Sequence, residues 1–266
     1  VAETALTDGY QLWNDRPGVV VFDYDRDGDQ DLYFTQRAGN GNLLYRNDGH
    51  AKFTDVGKDA GVAAFDSNST GAVACDVNND GYQDLYVGAW GDSKDKLGFR
   101  SPSEGQGNTD SLFLNNRDGS FKDITKEAFG ADVNIRSTTS LACADIDNDG
   151  WIDIYVGNLM SEDFRDFKSS SHPGHYNMLY LNNGDLTFDE ISKAAGVAGP
   201  QILMNDHAGM PIRFVDTRSG EEFVGYDPTK LDDRGNQIGE PTGQTHAVLF
   251  MDYDKDGDQD IWIAND

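Results

Sequence analysis

An all-β chain built from a recurring four-stranded unit is predicted by three features of this sequence. A nine-residue acidic pattern occurs four times, a hairpin-like segment occurs three times, and the two alternate along the chain. The acidic segments are FDYDRDGDQDLYF (22–34), CDVNNDGYQDLYV (75–87), ADIDNDGWIDIYV (144–156) and MDYDKDGDQDIWI (251–263). The second segments are NLLYRNDGHAKFTDV (42–56), SLFLNNRDGSFKDIT (111–125) and NMLYLNNGDLTFDEI (177–191), each followed by a similar tail: GKDAGV, KEAFGA or SKAAGV. A fixed period with insertions marks a repeat architecture.

Each element of the unit has its own signal. Short apolar runs enter the acidic loop: GVVVF (18–22), GAVAC (71–75), SLACA (140–144) and AVLFM (247–251). Three-residue apolar runs leave it at 32–34, 85–87, 154–156 and 261–263. Continuous short runs of this kind predict strands buried on both faces. In the second segment an Asn/Asp/Gly turn separates two alternating runs, which predicts a hairpin. Four short antiparallel strands make one propeller blade. The units fall at approximately 18–62, 71–131, 140–197 and 247–266 of a single propeller spanning 1–266. The acidic loops start at 23, 76, 145 and 252, so the spacing is uneven, and insertions at 88–110, 157–176 and 198–245 account for it. Those stretches are rich in Gly, Pro, Ser and charge and read as surface loops.

The acidic pattern is D-x-[DN]-x-D-G-x-x-D. Its copies are Asp23, Asp25, Asp27, Gly28, Asp31; Asp76, Asn78, Asp80, Gly81, Asp84; Asp145, Asp147, Asp149, Gly150, Asp153; and Asp252, Asp254, Asp256, Gly257, Asp260. Calcium takes six to eight hard oxygens in flexible geometry. Positions 1, 3 and 5 of a tight loop can converge, glycine at 6 permits the turn, and Asp at 9 can close the ligand set. Position 7 can add its backbone carbonyl whatever the side chain, which suits the mix of Asp29, Tyr82, Trp151 and Asp258 there. Without a cation the clustering is costly: two carboxylates about 4 Å apart repel by about 1 kcal/mol in water and about 4 at an effective dielectric of 20. Magnesium prefers to keep its waters and zinc prefers His and Cys, so about four calcium ions are expected. Asn78 keeps an oxygen but drops a charge, which predicts a weaker second site. An EF-hand requires Glu at loop position 12; Phe34, Val87, Val156 and Ile263 stand there.

This alternation of motifs resembles the FG-GAP/VCBS repeats of the cartilage acidic protein family and, more distantly, the calcium-bearing blades of integrin α-subunits. The resemblance covers about 18–197 and 244–266. It implies a propeller of about seven blades, calcium in a hairpin loop of each bearing blade, and an extracellular setting, at the cell surface or periplasmic. The four blades here would then form part of a larger ring. Four acidic loops but three complete hairpins, and a start whose residues 1–6 resemble the tail 56–61, lead to the same expectation.

Composition narrows the function. Lys+Arg number 21 against 47 Asp+Glu, a formal charge of −26, which argues against a nucleic-acid backbone or an anionic membrane as partner. No run of 18 apolar residues predicts a membrane-spanning helix. No G-x-S-x-G, H-E-x-x-H or P-loop occurs. His172 and His175 lie three apart in an insertion and read as a solvated loop rather than a transition-metal site. Asn68-Ser69-Thr70 is a formal glycosylation sequon that reads as a chance match. Tyr33, Tyr86, Tyr155 and Trp262 recur at one place in the unit and read as core rather than a sugar-stacking platform. Cys75 lies one residue before its loop and Cys143 two before, so the pair is expected to point to opposite strand faces and to remain unbonded. The predicted function is a non-enzymatic, calcium-stabilised propeller with a protein or glycan partner, or a subunit of a surface assembly. The alternative is a carbohydrate-active enzyme with its site in the insertions.

Overall fold

A computed structural model describes residues 17–36, 39–50, 52–90, 109–134, 136–158, 177–198, 213–215, 222–224 and 245–265. Blade I is β1 (Val19–Phe22), β2 (Asp31–Phe34), β3 (Leu43–Asn47) and β4 (Phe53–Asp55). Blade II is β5 (Ser69–Cys75), β6 (Asp84–Ala89), β7 (Ser111–Asn115) and β8 (Phe121–Asp123), followed by the one-turn helix α1 (Thr125–Phe129). Blade III is β9 (Thr138–Ala144), β10 (Asp153–Asn158), β11 (Met178–Asn182) and β12 (Phe188–Glu190). A separate hairpin, β13 (Arg213–Val215) and β14 (Glu222–Val224), falls within the long insertion. Blade IV contributes β15 (Thr245–Met251) and β16 (Asp260–Asn265). Blades I to III are four-stranded antiparallel meanders in chain order, and blade IV is a two-stranded pair. The architecture is a run of propeller blades, and the sheets of the described residues do not close into a ring. No helix among the described residues is long and apolar enough to cross a membrane.

The core lies in layers between successive blades, because alternate residues of a strand point to opposite faces. On β6, Leu85 and Val87 face blade I and pack with Phe22, Tyr33, Leu44 and Val62. Tyr86, between them, faces blade III and packs with Ile154, Val156, Met178 and Tyr180. Both β6 and β10 are therefore buried throughout, as their apolar runs predict. The prediction fails at the two ends of the row. Val19 and Val21 are 56% and 58% exposed on blade I, and Leu249 and Trp262 are 51% and 53% exposed on blade IV. Tyr33, Tyr86 and Tyr155 are buried core side chains, whereas Trp262 at the same place is not, because burial of that position requires a following blade.

The blades converge most tightly where the inner strands begin. A Cβ on Gly88 would stand 2.4 Å from Thr138 Cγ2, and one on Gly157 would stand 2.5 Å from Thr245 Cγ2. Glycine is needed there for close backbone approach. These contacts also correct the insertion boundaries: β6 continues through Gly88 and Ala89, β10 through Gly157 and Asn158, and Thr245 opens β15.

Cys75 and Cys143 form a disulfide, Cα–Cα 6.6 Å, contrary to the expectation that they remain apart. The two do occupy opposite faces of equivalent strands: Cys75 pairs with Asp84 across its blade, and Ala144, not Cys143, is its counterpart opposite Asp153. In stacked blades, however, the forward face of one sheet meets the backward face of the next. Opposite faces are what a bond between neighbouring blades requires.

Candidate metal centre

Each acidic loop joins the innermost strand of its blade to the second. All four share three internal hydrogen bonds, and in loops 2 and 3 the Asp80 and Asp149 N–H groups also donate to Oδ1 of Asp76 and Asp145. The position-1 carboxylate accepts from the glycine N–H: Gly28 to Asp23 Oδ2 at 3.0 Å, Gly81 to Asp76 at 2.8 Å, Gly150 to Asp145 at 2.9 Å and Gly257 to Asp252 at 3.3 Å. Asp27, Asp80, Asp149 and Asp256 N–H donate to the position-3 side chain. Asp29, Tyr82, Trp151 and Asp258 N–H donate to the position-5 carboxylate at 2.8 to 2.9 Å. The glycines have φ between 87° and 101°, as the pattern predicts. The residues two earlier, Arg26, Asn79, Asn148 and Lys255, are also left-handed, with φ of 56° to 65°. That second turn is not legible in the spacing of acids.

Three loops bring carboxylates to a common point: in Asp23, Asp25, Asp27; in Asp145, Asp147, Asp153; and in Asp252, Asp254, Asp260, one oxygen from each lies within 4.8 Å of the others. In loop 2 the Asn78 amide donates to Asp80 Oδ2 at 3.0 Å, and Arg117 Nε stands 3.5 Å from the same oxygen. The amide thus relieves part of the repulsion that a third carboxylate would add. Asp23 Oδ1 is buried without a hydrogen-bond partner among the described residues. A buried, unsatisfied carboxylate oxygen beside two further carboxylates suits a hard cation.

Position 9 is the anchor of each loop. Asp31, Asp84 and Asp153 are at most 1% exposed. Their Oδ2 atoms accept from the position-2 N–H of Tyr24, Val77 and Ile146 at 2.8 to 3.0 Å, and Asp260 does the same for Tyr253. Their Oδ1 atoms accept from Asn47, Asn115 and Asn182, the last residues of the third strands, at 2.7 to 2.9 Å. Burial pushes Asp31 and Asp153 up to about 6 and Asp84 up to about 7, against the two backbone donors that hold each down. Neighbouring acids raise them further.

Sequence reading missed two sets of polar residues, although both recur within or directly before the second segment. One is Asn47, Asn115 and Asn182. The other is Asn42, Asp110 and Asn177, which precede the third strands at the opposite end of each blade. Asn42 Nδ2 donates to Tyr33 Oη and Ser69 Oγ, Asp110 accepts from Tyr86 Oη and Thr138 Oγ1, and Asn177 Oδ1 accepts from Thr245 Oγ1. Each ties its blade to the inner strand of the next. Asn68 of the sequon is 2% exposed in the same belt, a position closed to a glycan in the folded chain. His172 and His175 lie outside the described residues.

Blades whose first hairpin loop is an acidic Asp/Gly turn of this pattern define a class of repeat protein. The FG-GAP-like repeat family model matches residues 4–87 and 97–156, more than half of the chain, and the chain belongs to that family. It is 25% identical over 279 aligned positions to Cartilage acidic protein 1 of Mus musculus, covering 93% of this chain and 40% of that protein. To Cartilage acidic protein 1 of Homo sapiens it is 24% identical over 159 positions, covering 60% of this chain and 21% of that protein. The chain thus spans less than half of the length of these relatives. A solved lectin structure from Agrocybe aegerita aligns over 92% of this chain and 60% of that one, at 18% identity and a TM-score of 0.37, too slight a likeness to bear on fold or ligand.

Proposed function

We propose that this chain is a non-enzymatic, extracellular calcium-binding repeat protein whose acidic loops each hold one ion and whose insertions meet a protein or glycan partner. The observation that carries the reading is the convergent carboxylates, in particular the buried and unpartnered Asp23 Oδ1. The metal would be held by the side chains at positions 1, 3, 5 and 9 and by the position-7 carbonyl. It would supply the positive charge that the raised position-9 acids call for. A cystine linking two blades suits an oxidising compartment. Antiparallel alternation places the ends of all three insertions opposite the acidic loops: β6 ends and β7 starts there, as do β10 and β11, β12 ends there, and β15 starts there. Partner contact and metal binding are then assigned to opposite ends of the blades.

Removal of calcium tests this. If each site binds ten- to a hundredfold below the free concentration, each ion adds about 1.4–2.7 kcal/mol to stability, and several together rival a domain's total of about 5–15. Excess EGTA, with metal loss verified, is expected to lower the melting temperature strongly and calcium to restore it. An unchanged melt rules the reading out.

A further inference from the structure

We propose that the acidic loops act in series, occupancy of one tightening the next, and that Asn115 and Asn182 are the positioning residues that connect them. This rests on the calcium reading above and concerns how the sites communicate.

Asn115 is 3% exposed, and its backbone N–H and both polar atoms of its side chain are engaged. Its backbone N–H donates to Asp84 Oδ1, the position-9 carboxylate of loop 2, at 2.7 Å. Its side-chain amide donates to Gln83 O of the same loop at 3.2 Å and to Tyr24 O, at position 2 of loop 1, at 2.8 Å. Its Oδ1 accepts from Arg117 N–H at 2.8 Å. Asn182 repeats the arrangement one blade on, holding Asp153 Oδ1 at 2.9 Å, Ile152 O at 3.1 Å and Val77 O of loop 2 at 2.8 Å. Asn47, in the first described blade, makes the bonds to its own loop, Asp31 and Gln30. In blades II and III the second amide hydrogen thus goes to the preceding loop.

A second set of contacts runs between the same loops. The left-handed position-4 residues reach forward: Arg26 lies 5.3 Å from the Tyr82 ring centroid, Asn79 Nδ2 donates to Gly150 O at 2.8 Å, and Asn148 Nδ2 donates to Asp258 Oδ1 at 2.7 Å. A short, fully satisfied side chain therefore connects the anchor of one loop to the backbone between Asp23 and Asp25, or between Asp76 and Asn78, of the loop before. An ion that draws in the carboxylates of one loop fixes that anchor. The neighbouring loop then has less freedom left to lose when it binds, which is positive coupling.

Loop 3 carries its own reporter, because Trp151 stands at position 7 and sensitises terbium luminescence there. The full chain would be titrated with terbium and then competed with calcium, in a Trp262→Phe background to silence the tryptophan beside loop 4. Loop 2 is disabled by Asp76→Asn with Asp80→Asn, which keeps the shape of its turn. We expect calcium's affinity at loop 3 to fall about fivefold or more, the lower end of ordinary coupling, although loop 3 is untouched. In an Asn182→Ala background the same loop 2 change should have little further effect. A loop 3 affinity unchanged within about twofold after loop 2 is disabled overturns the coupling and leaves calcium binding standing. Absence of calcium binding at every loop overturns both.

Discussion

Asp110 is a buried acid where the neighbouring blades use amides. It accepts from Ala89 N–H at 2.7 Å, Asn134 Nδ2 at 2.8 Å, Thr138 Oγ1 at 2.8 Å and Tyr86 Oη at 3.0 Å. Burial outweighs these donors and pushes it up to about 6 from 3.8. The folded chain therefore keeps this proton to higher pH than the unfolded chain does. The associated stability is fully present below about pH 4 and lost as pH rises through about 6. Asp110→Asn, which reproduces the residue of blades I and III, is expected to remove that loss, up to about 3 kcal/mol at neutral pH. Urea denaturation of both forms at about pH 4 and about pH 7 checks it, since the acidic loops titrate alike in each. A gap that does not change with pH contradicts this account.

At the scale of the element, the cystine ties the last residue of β5 to the next-to-last of β9, one and two residues before Asp76 and Asp145. It closes a loop of 68 residues in sequence, and in the chain-entropy view its loss costs about 4 kcal/mol. Cys75→Ser with Cys143→Ser is expected to lower the denaturation midpoint accordingly, with the loosening concentrated in blades II and III. A midpoint unchanged from wild type would show that the packed interface of Val73, Tyr86, Leu141 and Ile154 holds these blades without it.

For the whole molecule, the two core layers are separate: one lies between blades I and II, the other between II and III. Blades so arranged stabilise mainly their neighbours, so damage is expected to be graded along the row. Asp145→Ala should reduce hydrogen-exchange protection most in blade III and least in blade I, and Asp76→Ala should reduce it most in blade II. Equal loss throughout in both variants would mean that the row melts as one unit. Net charge acts at this scale as well. Four divalent ions would cancel eight of the 26 excess negative charges, and self-repulsion in the metal-free chain is weakened by salt. Melting temperature in EGTA should rise with added sodium chloride by more than it does in calcium.

The repeat, its strands and the acidic loops are legible in the sequence because each depends on local chemistry. Gly28, Gly81, Gly150 and Gly257 are needed for a left-handed turn, Asp at fixed offsets for its hydrogen bonds, and apolar alternation for a two-sided strand. What the sequence left open or misread depends on the neighbouring blade. The Cys75–Cys143 bond forms because opposite faces of adjacent blades meet, which no strand reveals alone. Tyr33 is buried and Trp262 exposed at equivalent positions because only Tyr33 is covered by a following blade among the described residues. Asn115 and Asn182 look like ordinary turn residues until stacking brings Tyr24 O and Val77 O of the preceding loops within reach of their amides. Local pattern specified each blade, and only the packing of blade on blade decided which residues join one site to the next.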